Sequence, residues 1–282
     1  MNVLMVGAGE YNVGFVPTAA GAAADKRCGV VAICLFDMRR RGMVGRILLA
    51  DADGTRLPLA RACMAEKIGA AYVGLDTTVE CWPKDETAKF DPGAAVAAMD
   101  TLGAGDLVIV FTPDPTHFSI ASAAIERGLH VLVAKPVVKV LQEHLLLEAA
   151  AASKGALCAV EYHKRWDPIY SDARERARKL GDFSFFNSMM TQRRVQLDTF
   201  AAWAGKSSDI SYYLNSHHID ILCWMVEGVA RPEQVTAAAS FGVADAQLKR
   251  TGVEDTISLM CTVRAAASAA AAAPQPRLHL FE

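Results

Sequence analysis

Two stretches of this sequence place reactive or ligand-holding residue types at telling intervals. Near the start, Val6-Gly7-Ala8-Gly9-Glu10-Tyr11-Asn12-Val13-Gly14 follows a short apolar run. Gly7 permits a tight turn, and Gly9 lets a pyrophosphate approach the backbone, where the amides and dipole of a helix N-terminus favour an anion. The usual third glycine of such a turn falls at Asn12, and Gly14 comes two residues late. A second apolar run, Gly29 to Phe36, ends at Asp37, with Arg39, Arg40 and Arg41 close behind. A carboxylate at such a strand end accepts from ribose hydroxyls and favours NAD, whereas guanidinium groups suit the 2′-phosphate of NADP. Arg39 and Arg40 tip the expectation slightly toward NADP, with NAD left open. The other stretch is His217-His218-Ile219-Asp220-Ile221-Leu222-Cys223-Trp224. On a helix His217, Asp220 and Trp224 share one face, while His218 points about 100° away. Imidazole donates and accepts protons near neutral pH, and Asp220 is spaced to orient it or balance its charge. Lys164, Arg165, Arg193, Arg194 and Lys206 together suit a carboxylate-bearing ligand, and Tyr162 and His163 are candidates for contacting substrate hydroxyls.

The elements that would position these residues read as alternating strands and helices. Apolar runs at Val3–Val6, Gly29–Phe36, Leu107–Phe111, His130–Val133 and Leu157–Tyr162 are continuous rather than alternating, as in strands covered on both faces. Asp114 and Pro115 open a helix that Gly128 closes, and Leu141, Leu145, Glu148 and Ala152 keep helical spacing up to Lys154-Gly155. This predicts a Rossmann-type, doubly wound parallel sheet over residues 1–163. Beyond it the pattern changes. A helix is expected over 168–180, a strand over 183–190, a polar loop over 191–209, a helix over 216–226, and strands at 235–243 and 256–263. Residues 164–264 thus read as a second α+β domain with an open, mostly antiparallel sheet.

The stretches Phe111-Thr112-Pro113-Asp114-Pro115-Thr116-His117 and Gly128-Leu129-His130-Val131, running on to Lys135-Pro136, resemble the glucose–fructose oxidoreductase, inositol dehydrogenase and rhizopine catabolism family (Gfo/Idh/MocA). The His217-to-Trp224 segment and Glu161-Tyr162-His163-Lys164-Arg165-Trp166-Asp167-Pro168 are similar to two further motifs of that family. Gly9-Glu10-Tyr11 and Ala202-Trp203-Ala204-Gly205-Lys206 look most like its D-galacturonate reductase branch. The resemblance implies NAD(P)-dependent hydride transfer to or from a sugar or sugar acid. Gly7, Gly9, Glu10, Tyr11, Asp37, Arg39, Arg40, Thr112, Pro113, His117 and Lys135 would line the cofactor. Lys135 would also be catalytic, its ammonium stabilising the alkoxide-like charge that develops at the reacting oxygen. His217 would be its acid/base partner, and His163, Arg165, Tyr213 and Asp220 would bind substrate. Two positions depart from the family pattern: Ala134 stands where a glutamate precedes Lys-Pro, and Tyr213 where an aspartate precedes the histidine by four. A polyol or trans-dihydrodiol dehydrogenase, or a catalytically silent dinucleotide-binding regulator, fits the same fold.

Composition narrows the remaining classes. The 282 residues are 52% hydrophobic and 21% charged with a net charge of −2, enough for two domains and no basis for a nucleic-acid or membrane binder. Seven cysteines lie scattered without a CxxC pair, so neither a disulfide framework nor a structural metal site is indicated. No apolar segment is long enough to cross a bilayer and no leader is apparent, so a cytoplasmic, reducing compartment is expected, with a homodimer as the assembly the resemblance implies. The alanine-rich stretch 265–282 reads as a poorly ordered low-complexity tail, leaving the second domain incomplete.

Overall fold

The structure, a computed structural model, describes residues 1–16, 26–181 and 184–265. The chain divides into two compact units, Met1–Glu161 and Tyr162–Glu282.

In the first unit the elements run β1 (Val3–Val6), α1 (Glu10–Val13), α2 (Val30–Arg40), β2 (Ile47–Ala50), α3 (Leu57–Met64), β3 (Glu80–Trp82), α4 (Ala94–Met99), β4 (Leu107–Val110), α5 (His117–Glu126), β5 (His130–Ala134), α6 (Leu141–Lys154) and β6 (Cys158–Glu161). The strands form one parallel sheet in the order β3-β2-β1-β4-β5-β6, with Met5 opposite Leu49 on one side and Ile109 on the other. Both faces are covered. Leu4 and Val6 pack with Val108, Val110, Ile125 and Leu147, while Val3 and Met5 pack with Phe36, Leu49, Leu57 and Met64. The strand period of two thus distributes a single apolar run to two cores, which is why these strands show no polar alternation. The strand order reverses between β1 and β4, and in such sheets ligands bind beyond the carboxyl ends of the strands at that switch point.

One strand expectation is overturned. Residues 29–36 are not the second strand: they open helix α2, and the strand is Ile47–Ala50. Ala32, Leu35 and Phe36 are buried, while Val30 and Cys34 face outward, a spacing of three and four rather than two. A short apolar run does not reveal its period by itself, and here the run continues through Arg40 as eleven helical residues. The α5 entry also differs. Asp114–Thr116 is a tight 3₁₀ turn, and the helix proper starts at His117. Gly128 and Gly155 close their helices at φ 70° and 62° as expected. On α6 the buried residues are Leu147 and Ala151, with Leu141 and Leu145 outside.

The second unit holds α7 (Pro168–Lys179), α8 (Gln196–Phe200), α9 (Ser216–Met225), β7 (Ala230–Phe241), α10 (Val243–Leu248) and β8 (Glu254–Ala265). Asp167 caps α7 by accepting from Ile169 N at 2.9 Å, ahead of Pro168 in the first turn. β7 and β8 pair antiparallel as a two-stranded sheet. The strand expected over 183–190 is absent from its described part: residues 184–190 form no regular element, with Phe185 and Met189 exposed. A strand needs a neighbour to satisfy its backbone, and among the described residues of this unit only β7 and β8 pair. The polar loop contains α8, and Val243 begins a helix instead of ending a strand. The low-complexity tail, from residue 266 onward, lies outside the described residues.

Candidate functional site

In the first unit, most of the residues expected to hold a cofactor converge at the carboxyl ends of β1, β4 and β5. Gly7 has φ 100°, and a Cβ on it would lie 2.3 Å from the carbonyl oxygen of Phe111 and 3.2 Å from Thr112 Cγ2. Only glycine fits where β1 passes that close to the end of β4. A Cβ on Gly9, by contrast, meets nothing within 4 Å, so the backbone there is open to an approaching group. Asn12, fully buried in the place of the third glycine, donates through Nδ2 to Val6 O at 3.0 Å and Gly7 O at 2.7 Å. Its amide holds the turn shut against the strand, doing with hydrogen bonds what a glycine does by close packing. Tyr11 stacks on Phe111 with ring centroids 5.1 Å apart, and the Lys26 ammonium lies 4.5 Å from the Tyr11 ring centre. The Glu10 carboxylate has one oxygen buried without a hydrogen-bond partner.

The loop after β4 is braced from within. Thr116 Oγ1 donates to Thr112 Oγ1 at 2.7 Å, over Pro113. His117 is 1% exposed, its Nδ1 2.9 Å from Pro136 O and its Nε2 2.9 Å from Thr112 O. Lys135, half-buried, immediately follows β5 and precedes Pro136 through a cis peptide. Gly7, Phe111, Thr112, His117 and Lys135-Pro136 therefore form one connected patch of backbone.

Asp37, Arg39 and Arg40 are not part of it. They lie at the end of α2, where Arg40 and Arg41 each reach Asp37 at 2.6 Å and Arg39 pairs with Asp76 at 3.1 Å. The Arg40 and Arg41 guanidiniums hold the Asp37 carboxyl below the usual carboxylate range. The acid that does stand at the end of β2 is Asp51, which sequence reasoning missed. Its Oδ2 accepts from Ala8 N, in the glycine turn, at 2.7 Å, and its Oδ1 accepts from Asp53 N at 2.9 Å. Arg56 is the nearby guanidinium, 4.0 Å from Asp51 and 3.4 Å from Asp53. The signal was the four-residue run Ile47–Ala50 directly before the acid, overshadowed by the longer apolar run upstream.

In the second unit, the shared helical face is present. His217 and Asp220 are buried on α9. The His163 ring lies edge-on to His217 with centroids 5.1 Å apart, and Tyr162 does so at 6.2 Å. Burial, with the Asp220 charge adding to it, pushes the Tyr162 phenol up to about 12. Asp220 and Arg165, both expected to touch substrate, are instead paired with each other: Arg165 Nε donates to Oδ2 at 2.9 Å and Nη2 to Oδ1 at 2.5 Å. Burial raises the Asp220 carboxyl, with Arg165 pulling the other way. Trp224, one turn on, has Arg174 at 4.6 Å and Arg165 at 5.9 Å from its ring centre. His218 is pushed below its ordinary value by burial and by Lys164. Tyr213 packs with Phe200 at 4.7 Å and Trp203 at 5.3 Å in a small satellite core, beside buried Ala204, Ala244 and Val253. Its ring is thereby part of the packing of this unit. Arg194 donates to Gln247 and Lys206 to Ala201 O, so these cations do not gather around Arg165.

Comparison with known proteins agrees with the first unit's architecture. Residues 57–162 match the model of an oxidoreductase family with an NAD-binding Rossmann fold, Gfo/Idh/MocA. The chain is 35% identical over 118 residues to the uncharacterized oxidoreductase YdgJ of Escherichia coli, covering 41% of this chain and 34% of that one. It is 31% identical over 119 residues to the NADP(+) scyllo-inositol 2-dehydrogenase IolW of Bacillus subtilis, covering 41% and 33%. The chain thus spans about a third of the length of these curated relatives. Myo-inositol 2-dehydrogenase from Lactobacillus plantarum shares the fold, with a TM-score of 0.67 at 16% identity over 93% of this chain and 66% of that one.

Proposed function

We propose, from the match of residues 57–162 to the Gfo/Idh/MocA oxidoreductase family model, that this protein is an NAD-dependent dehydrogenase of a neutral polyol or sugar. The observation that carries the reading is Asp51 at the end of β2, hydrogen-bonded to the glycine turn beside the open backbone of Gly9. An acceptor carboxylate there suits the two ribose hydroxyls of NAD and repels the 2′-phosphate of NADP. The basic residues that favoured NADP sit on α2 and are engaged with Asp37 and Asp76, which removes the support they lent. Arg56 is the residue through which an NADP preference would act.

A nicotinamide cofactor, when bound, would supply the acceptor or donor of the hydride. The chain's own residues supply binding and proton handling. Gly7 and Asn12 shape the turn, the open backbone at Gly9 would admit the pyrophosphate, and Asp51 would hold the ribose. The Lys135 ammonium stabilises negative charge on the reacting oxygen, and His217 is the acid/base imidazole. A neutral polyol is favoured over a uronic acid because the Arg165 guanidinium, one of the five basic residues expected to suit a carboxylate, is already paired through two hydrogen bonds with Asp220. The inositol dehydrogenases among the similar proteins support the same class.

Titration of the protein with NADH and NADPH, for wild type and Asp51→Ala, tests the cofactor reading. NADH is expected to bind more tightly, and the variant to lose roughly 10-fold toward NADH and little toward NADPH. Equal losses for the two would overturn it. Nicotinamide absorbance with inositols, aldoses and uronic acids tests the substrate class, and turnover confined to uronic acids would reverse that choice.

A further inference from the structure

We infer that His117 is not a cofactor ligand but the positioning residue for Lys135, an inference that rests on the catalytic role proposed above for that lysine. The paired strands β4 and β5 hydrogen-bond in register from Leu107 opposite His130 to Val110 opposite Val133. Beyond that pair the ladder ends, and the two chains run on as Phe111-Thr112 and as Ala134-Lys135-Pro136. At this point the His117 ring spans the gap, 2.9 Å from the carbonyl of Thr112 and 2.9 Å from that of Pro136. The ring is 1% exposed and both of its nitrogens are occupied, so it has no polar edge to offer a dinucleotide. Its two contacts replace the missing rungs of the ladder.

The anchored carbonyl belongs to the residue directly after Lys135. Fixing Pro136 O against Thr112 O fixes the main chain from which the Lys135 side chain springs, relative to β4 and the glycine turn that touches Phe111. A displacement of about 1 Å in a reacting group lowers turnover by up to roughly 100-fold. A ring N–H can donate to one of these carbonyls, a phenyl ring can donate to neither, and a glutamine amide carries two N–H groups on a single nitrogen.

The test compares His117→Phe, which has no donor, with His117→Gln, which retains two. NADH affinity, turnover and KM with the working polyol, and the rate at which acetic anhydride labels Lys135 relative to exposed Lys154 are measured for each. His117→Phe is expected to lower kcat by roughly 10- to 100-fold and to shift Lys135 labelling at least about three-fold, with KM and NADH affinity nearly unchanged. His117→Gln is expected to recover most of both effects. A large loss of NADH affinity with unchanged Lys135 labelling would make His117 a cofactor residue and overturn the inference. Unchanged labelling with only a lower melting temperature would reduce it to packing, which also overturns it. If wild type turns over no polyol, the proposed function fails while the labelling arm still decides this point. If His117→Phe does not fold, ¹⁵N-histidine spectra of the wild type decide it: a His117 ring N–H protected from exchange and coupled across a hydrogen bond to the Pro136 or Thr112 carbonyl supports the bridge, and a rapidly exchanging, uncoupled one refutes it.

Discussion

The two units hold their candidate groups by different means. In the first, what is held is main chain. Gly7 presses against the Phe111 carbonyl, Asn12 binds Val6 O and Gly7 O, Asp51 binds Ala8 N, and His117 joins Thr112 O to Pro136 O. In the second, side chains hold side chains. His217 lies against the rings of His163 and Tyr162, and Asp220 is clasped by Arg165 beside Trp224. Backbone clamps depend on space and φ, so they fail abruptly when a Cβ intrudes. Side-chain clamps depend on charge balance, so they fail when one partner is removed. The contrast follows from what surrounds each site. A six-stranded sheet buried on both faces fixes its strand ends, whereas α9 is held in a unit whose only sheet among the described residues is a two-stranded ribbon.

The comparison can be broken most decisively at Gly7. Gly7→Ala adds a strained φ near 100° to a Cβ 2.3 Å from backbone, and should destabilise the first unit by about 4 kcal/mol. A urea midpoint equal to wild type would remove the main-chain account. Next is Arg165→Ala, which strands the buried Asp220 carboxylate. A loss of about 3 kcal/mol is expected in the second unit, followed by the fluorescence of Trp224. Recovery in the Arg165→Ala, Asp220→Leu double variant would show that the loss came from the orphaned charge.

The smallest effect sharpens the first-unit side. Burial pushes the Asp106 carboxyl up, but the amides of Asn2 and Gly103 more than offset this, and its folded value ends below the ordinary one. Its contribution is therefore complete above the unfolded carboxylate value of about 3.9 and is lost as pH falls through the lower folded value. Asp106→Asn should cost about 1–2 kcal/mol at pH 7, with the difference from wild type shrinking below about pH 4. A difference that grew on acidification would contradict the assignment.

Much of the fold was legible in the sequence. β1, β4, β5 and β6 announce themselves as continuous apolar runs, and the helices over 141–154 and 168–179 carry their own stop or cap. The glycine turn and the His217–Asp220 face were legible for the same reason, since each lies within one local element. What was not legible depended on contacts across the chain. Arg165 and Asp220 are 55 residues apart, and nothing in either neighbourhood says that a guanidinium which could take a substrate carboxylate has taken this one. The Tyr213 ring reads as a substituted site residue until Phe200 and Trp203 are seen to pack on it.

The sequence by itself determined that a parallel, doubly wound sheet occupies the first part of the chain, because runs apolar at every position only make sense when both strand faces are buried. It also placed His217 and Asp220 on one face, because 3.6 residues per turn leaves no alternative once the segment is helical. Only the tertiary structure decided which of two apolar runs becomes β2. Residues 29–36 and 47–50 are both hydrophobic enough, and the choice fell to the run that β1 and β3 could pair on both edges. That choice moved the strand-end acid from Asp37 to Asp51 and took the arginine cluster with it, because a charge acquires its meaning from the element that presents it.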